Sequence, residues 1–507
     1  MRIVDLLERN ATLYPHKTAA AVVAGGPSLT YGELRNRVRR LAGGLEAAGV
    51  GPGDRVALMA DNGLVYFDVY LAVAYLGAAA VPLNPQLADP EVAYILGDVD
   101  PRLTVATADH VERLGAVGGH GTLIDAAGDA YRKLLSGEPF ADLERATEDD
   151  VALIIYTSGT TGRPKGACLT QRGLVFNGLT MALVQQFRPD DVFLSTTPMC
   201  HVATGTRVVS MLADGQTYVV MPTFSPEAFF AAVAEHRVTT TILMPVQMRR
   251  ILDHPGLDTA DLSSLRLVVY GGAPTPEPLI RQAHDRFGCG LYQSYGITEC
   301  VSNLTGLLPA DHETAMTERP ELLESCGRAV PGVRVDLRDA DGAPVDPGQV
   351  GEIWVKTEKV MAGYWRNPDQ TAEAVVDGWF RTGDLGRMDA DGYLIIVGRS
   401  KDMLISGGVN VYPSEIEAVL GDHPAVAEAA VVGRPDARWG ERPVAFVELR
   451  PDGTVDGLAD WCSSRLAKVK VPDEFIAVEG FPRTSTGKIR KVELRERFGN
   501  AGTLEFP

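Results

Sequence analysis

Residues 151–166 read VALIIYTSGTTGRPKG. The first five, Val151 to Ile155, form an unbroken apolar run, which predicts a strand buried on both faces. From Tyr156 to Gly166 the chain then sets three glycines, four small hydroxyl side chains and Lys165 close together. Glycines and small hydroxylated residues let backbone N–H groups turn toward an anion, and a lysine adds a mobile point charge, so this loop suits a polyphosphate. It is not the Walker form, which needs Gly-Lys-Ser/Thr after a glycine and four residues. Here Pro164 precedes Lys165 and Gly166 follows it.

The surrounding pattern predicts an α/β fold. Leu34 to Ala48 carries apolar residues at helical spacing, whereas Arg55 to Met59 and Ala79 to Leu83 read as strands. Asp125 to Asp150 is polar and weakly patterned, and reads as a surface excursion. Helix and strand alternate again from Asp191 to Glu299, with the clearest strands at Thr239–Met244 and Leu265–Tyr270. Such alternation implies large parallel or mixed sheets covered by helices, with ligand loops at the strands' carboxyl ends. From Gly327 to about Gly398 short strands with Gly/Asp/Pro turns predict a small β-barrel or meander, and 310–398 is read as a β-rich subdomain. After Arg399, the stretches Ala425–Val432, Val444–Leu449 and the helical Gly457–Lys468 predict a compact α+β unit.

The chain has 507 residues, too many for one core of usual size. It has 66 acidic and 48 basic residues, a net charge of −18, which disfavours nucleic acid or an anionic membrane as partner. The six cysteines show no CxxC spacing, so free thiols in a reducing cytoplasm are expected. No run of 18 apolar residues predicts a transmembrane span, and composition is silent on oligomeric state.

Six further signatures follow the loop in order: PMCHVATG around His201, GGAP from Gly271, QSYGITE ending at Glu299, GWFRTGD ending at Asp384, GRSKDMLISGGVNVYPSEIE from Gly398, and PRTSTGKIRK around Lys488. With the loop they resemble the adenylate-forming superfamily of acyl-CoA synthetases, aryl-CoA ligases, luciferases and peptide-synthetase adenylation modules. The resemblance covers about residue 25 to residue 492. It implies ATP, Mg²⁺ and coenzyme A as cosubstrates and metal, and a carboxylic acid as the small-molecule partner. It also implies an adenylation domain over 1–400, a mobile domain over 402–507 and a hinge at Lys401.

Carried onto this chain, the resemblance assigns Thr157, Ser158, Gly159, Thr160, Thr161 and Lys165 to the β- and γ-phosphates. Glu299 binds Mg²⁺ and Thr298 contacts the α-phosphate; a hard carboxylate beside phosphate oxygens is what Mg²⁺ prefers. Asp384 accepts the ribose hydroxyls, Arg399 is a second ribose or phosphate contact, and Tyr295 offers adenine an aromatic face. Gly272, Gln293 and Ser294 line the same cleft. Lys488 reaches the α-phosphate and the attacking carboxylate. His201 stands at the mouth of an acid pocket completed by Val202, Thr204, Gly205, Gly271 and Gly296. Gly407, Gly408 and Asn410 belong to a loop lining the path of the pantetheine arm.

Two departures narrow the reading. Amino-acid-activating relatives place an Asp directly after the position of His201, and here Val202 follows, which favours a plain aryl or medium-to-long acyl acid. Plant coumarate ligases carry a lysine where this chain has Ile405, so the pattern is closer to bacterial fatty-acyl and feruloyl-type CoA ligases. Arg207 is the odd charge in this region, a surface or supporting group or a partner for a polar substrate tail. The competing readings are an adenylating enzyme with a carrier-protein thiol, an amine or a non-carboxylate oxyanion in play, and a catalytically silent binding protein on the same fold.

Overall fold

The computed structural model describes residues 1–157, 163–483 and 489–499. Ser158, Gly159, Thr160, Thr161 and Lys488 lie outside the described residues. By compactness the chain divides into two units: Met1–Gly272, Arg281–Arg334 and Val355–Phe380 form the first, and Ala273–Ile280, Val335–Trp354 and the chain from Arg381 onward form the second.

The first unit is α/β and holds two large sheets. In one, the parallel strands Thr18–Val22, Thr217–Val220, Val192–Ser195, Thr240–Leu243, Leu267–Gly271 and Gly290–Ile297 lie side by side, flanked by antiparallel edge strands. In the other, Arg55–Met59, Ala79–Leu83, Leu103–Ala106, Thr122–Asp125 and Val151–Thr157 run parallel. Lys165–Thr170 and Gly363–Tyr364 add antiparallel to its edge. Ala79–Leu83 is buried at every position, as a strand covered on both faces must be, and Ala57, Met59, Val81, Leu83 and Ile154 share one core.

Thr30 accepts from Glu33 N at 3.2 Å while Glu33 returns to Thr30 N at 2.8 Å, which starts the Tyr31–Ala47 helix. The polar stretch after Asp125 is more ordered than its pattern predicts. It contains the helix Asp129–Leu135, whose Tyr131 is buried and donates its hydroxyl to Asp68 at 2.9 Å. Tyr131, Phe140 and Ala146 are buried there at spacings of nine and six residues among mostly exposed neighbours, which is why periodicity failed.

The second unit is smaller and includes a hairpin in which Asp384–Met388 pairs antiparallel with Leu394–Arg399. Its later sheet runs Val409–Val411, Leu404–Ser406, Gly440–Leu449 and Val426–Asp436, with Glu474–Val478 parallel to Gly440–Leu449. Alternation puts Ala430, Val432, Val444 and Phe446 on one face with Leu494, and Val431, Ala445 and Val447 on the other with Ile416 and Leu420. The predicted helix over Gly457–Lys468 is shorter, Leu458–Ser463, with a 3₁₀ turn at Lys468–Lys470. The six cysteines form no disulfide with one another, and among the described residues no helix is long and apolar enough to cross a membrane.

Candidate active site

Thr157 closes the strand whose reading opened the sequence, and Lys165 opens its antiparallel partner directly opposite. The two therefore flank residues 158–164 in the chain. Tyr364, beside Ala167 on the next strand, donates its hydroxyl to Glu299 Oε1 at 3.0 Å, and Thr157 Oγ1 donates to the same oxygen at 3.4 Å. Lys165 Nζ lies 5.2 Å from the centroid of the Tyr364 ring. Burial, reinforced by the negative charge of Glu299, pushes the Tyr364 phenol well above its ordinary range, so it stays a donor. Sequence reasoning missed Tyr364. A lone Gly-Tyr pair carries no periodicity, and only strand pairing brings it to Glu299.

The turn that presents Glu299 is held under constraint. It follows the Gly290–Ile297 strand as a 3₁₀ turn, Thr298–Cys300, after which Val301 and Ser302 adopt φ of 51° and 72°. A β-branched valine in left-handed space is an outlier that surrounding contacts must impose. Gly296 makes the bulge possible, since a Cβ there would stand 1.1 Å from the Ser302 carbonyl oxygen. Behind the turn, the fully buried Lys359 donates to the Asn303 carbonyl, and Met361 N bonds the Glu299 carbonyl at 2.8 Å. Burial lowers the Lys359 ammonium to about 8. Asn303 Oδ1 accepts from Ser294 at 3.0 Å and from Tyr292 at 3.2 Å. Tyr270 reaches His312 Nε2 at 2.8 Å and Gln293 at 3.4 Å. Gln293, Ser294, Tyr295, Gly296, Thr298 and Glu299 thus occupy one strand end, beside Gly271 and Gly272 at the carboxyl end of Leu267–Gly271.

His201 precedes the short helix Val202–Gly205, with His201 and Val202 partly exposed and Thr204 and Gly205 buried. The small residues here are used for packing. Thr204 Oγ1 pairs with Thr197 Oγ1, and a Cβ on Gly205 would stand 2.5 Å from the Met199 carbonyl oxygen. Arg207, which opens the next short helix, Arg207–Ser210, is buried with its guanidinium carbon 4.3 and 4.4 Å from the ring centroids of Phe187 and Phe193.

A family profile described as AMP-binding enzyme matches residues 7–365, and one described as the AMP-binding enzyme C-terminal domain matches residues 415–488. The chain belongs to the AMP-binding enzyme family. The AMP-binding enzyme is 41% identical over 506 residues to a feruloyl-CoA synthase of an Amycolatopsis species, covering 97% of this chain and 98% of that protein. It is 38% identical to the indoleacetate–CoA ligase of Aromatoleum aromaticum, covering 98% of each. Among solved structures, ATP-bound MatB from Rhodopseudomonas palustris aligns with a TM-score of 0.90 at 32% identity, covering 99% of both chains.

In the second unit of the AMP-binding enzyme, Asp384 and Arg399 face each other across paired strands, with Arg399 Nε 3.1 Å from Asp384 Oδ1. Asp384 is 5% exposed, and its backbone N–H bonds Thr382 Oγ1 at 3.0 Å, which fixes the carboxylate's position. Lys401 is lowered by burial and by the neighbouring Arg399, with Asp384 opposing. Gly407 and Gly408 form the two-residue connection between Leu404–Ser406 and Val409–Val411, leaving Asn410 exposed. The fold therefore gathers Thr157, Lys165, Thr298 and Glu299 within the first unit, and Asp384, Arg399 and Lys401 within the second.

Proposed function

We propose that the protein is an ATP-dependent acid–CoA ligase that joins an aryl or medium-to-long acyl carboxylate to AMP, releases pyrophosphate, and then passes the acyl group to the thiol of coenzyme A. The observation that carries this reading is the convergence of Thr157, Tyr364 and Glu299 at the end of the strand leading into TSGTTGRPKG. The loop and Lys165 take the β- and γ-phosphates, the future leaving group, where fixed donors stabilise the charge that develops as pyrophosphate departs.

The residues fit Mg²⁺. Among the described residues no three His, Cys, Asp or Glu side chains cluster as a protein cage, and Glu299 instead offers one carboxylate whose Oε1 is oriented by two hydroxyl donors. One carboxylate with substrate phosphates completing the shell is the usual arrangement for this ion. When bound, the ion neutralises phosphate charge so that the acid's carboxylate can approach. In this reading Thr298, next to Glu299, takes the α-phosphate, Tyr295 stacks on adenine, and Asp384 accepts from the ribose hydroxyls. Lys488 supplies the cation that joins α-phosphate and carboxylate, and the Gly407–Gly408 turn admits the pantetheine arm. His201 orients the acid, and Val202, uncharged, gives no partner to an α-ammonium. The cysteine states and charge suit a cytoplasmic enzyme.

The test is a panel of aryl, fatty and α-amino acids scored for pyrophosphate release, with AMP and thioester formation followed with and without coenzyme A. Pyrophosphate from aryl or fatty acids and thioester only with coenzyme A is the expected result. Turnover confined to free amino acids, or thioester formation that ignores coenzyme A, refutes the reading.

A further inference from the structure

Arg207 is 2% exposed, yet its charge is incompletely answered. Its guanidinium carbon lies 4.3 and 4.4 Å from the ring centroids of Phe187 and Phe193, aromatic contacts that do not satisfy its N–H groups. Nη1 donates to Gln185 Oε1 at 3.0 Å. Nε and Nη2 are buried without a hydrogen-bond partner among the described residues, as is Gln185 Nε2. The acid nearest to hand, Asp191, is already engaged: it takes both Nε and Nη2 of Arg266, the Thr239 hydroxyl at 2.8 Å and the Arg188 backbone N–H at 2.8 Å. A buried guanidinium with an open Nε/Nη2 edge is an expensive arrangement unless an anion completes it. That edge is the fork that takes a carboxylate through two parallel hydrogen bonds.

Its position relates it to the acid pocket. Arg207 stands six residues beyond His201, opening the short helix Arg207–Ser210 one residue after the helix Val202–Gly205 ends. Tyr218 links the two regions, donating to the Thr204 carbonyl at 3.3 Å and packing edge-on against Phe193 at 5.1 Å.

We propose that Arg207 is the receptor for a second carboxylate at the far end of the substrate, so that the acids activated are dicarboxylic: α,ω-diacids or carboxyaryl acids. This rests on the acid–CoA ligase reading. One carboxylate reacts near His201 while the other seats on the Nε/Nη2 fork, and an acid ending in methyl or hydrogen leaves the fork unpaired.

The experiment compares acids of equal length that differ in the terminal group: octanedioate with octanoate, and 4-carboxycinnamate with cinnamate. Pyrophosphate release is measured for the wild type, Arg207→Met and Arg207→Lys, and melting of each variant reports folding. The wild type should favour each diacid by at least about tenfold in kcat/KM, the worth of one charged hydrogen bond. Arg207→Met should erase or reverse that preference while the KM for ATP is unchanged. Arg207→Lys, a point charge without a fork, should keep only part of it. If Arg207→Met does not fold, the lysine variant decides. Preference for the monoacid in the wild type, or a diacid preference that survives in both variants, overturns the proposal. Binding without ATP separates the two readings: stabilisation of the wild type by octanedioate and not octanoate supports the fork even if no acid releases pyrophosphate, a result that would sink only the ligase reading. If the diacids produce no stabilisation and no turnover, the proposal is overturned.

Discussion

Tyr364 helps orient Glu299, the proposed Mg²⁺ ligand, because its hydroxyl at 3.0 Å and that of Thr157 at 3.4 Å both donate to Glu299 Oε1. Tyr364→Phe keeps the ring against Lys165 and removes one donor to a carboxylate, a bond of roughly 1.5–3 kcal/mol. The Mg²⁺ concentration needed for half-maximal pyrophosphate exchange should rise by about tenfold or more; an unchanged Mg²⁺ titration would reduce Tyr364 to packing. Lys359 gives a pH signature. Its folded ammonium sits near 8 against an ordinary 10.5, with burial the cause, so between those values the unfolded chain holds a proton that the folded chain does not. Stability contributed at this site therefore rises with pH across that window. Melting of the wild type relative to Lys359→Met should improve from pH 8 to 10.5. A constant gap across the window argues against a buried charge.

At the scale of elements, the Glu299 turn depends on a close approach that no other residue permits. A Cβ on Gly296 would meet the Ser302 carbonyl oxygen at 1.1 Å, and the strands Gly290–Ile297 and Ser302–Leu307 shift register between Tyr295 and Gly296. Gly296→Ala must push these strands apart at a cost of about 3 kcal/mol, the upper range for overpacking a tight site. Lower melting together with lost pyrophosphate exchange is expected. Full activity in a stable variant would show that the turn is not constrained as its dihedrals imply.

For the whole molecule, the proposed chemistry divides between residues of both units. Lys488, outside the described residues, is assigned to the first half-reaction alone. Lys488→Ala should lose acid-dependent adenylate formation by a hundredfold or more, in the usual range for a positioned charge at a reacting centre. It should still convert supplied acyl-AMP and coenzyme A to thioester. Equal loss of both half-reactions would remove that division of labour.

The sequence by itself determined the strand from Val151 to Thr157, the alternation that makes the first unit α/β, and the family to which the ordered signatures point, because apolar period and local motif chemistry are written in neighbouring residues. Arg55–Met59 and Ala79–Leu83 stand where their patterns put them. Tertiary structure alone decided what lies far apart in the chain. It brought Tyr364 to Glu299 across 65 residues, set Lys359 behind the Asn303 turn, turned Arg399 toward Asp384, and gave Thr204 and Gly205 to packing. It also buried Arg207 against two phenylalanines, since burial and charge pairing are properties of neighbours in space, which a linear pattern does not encode.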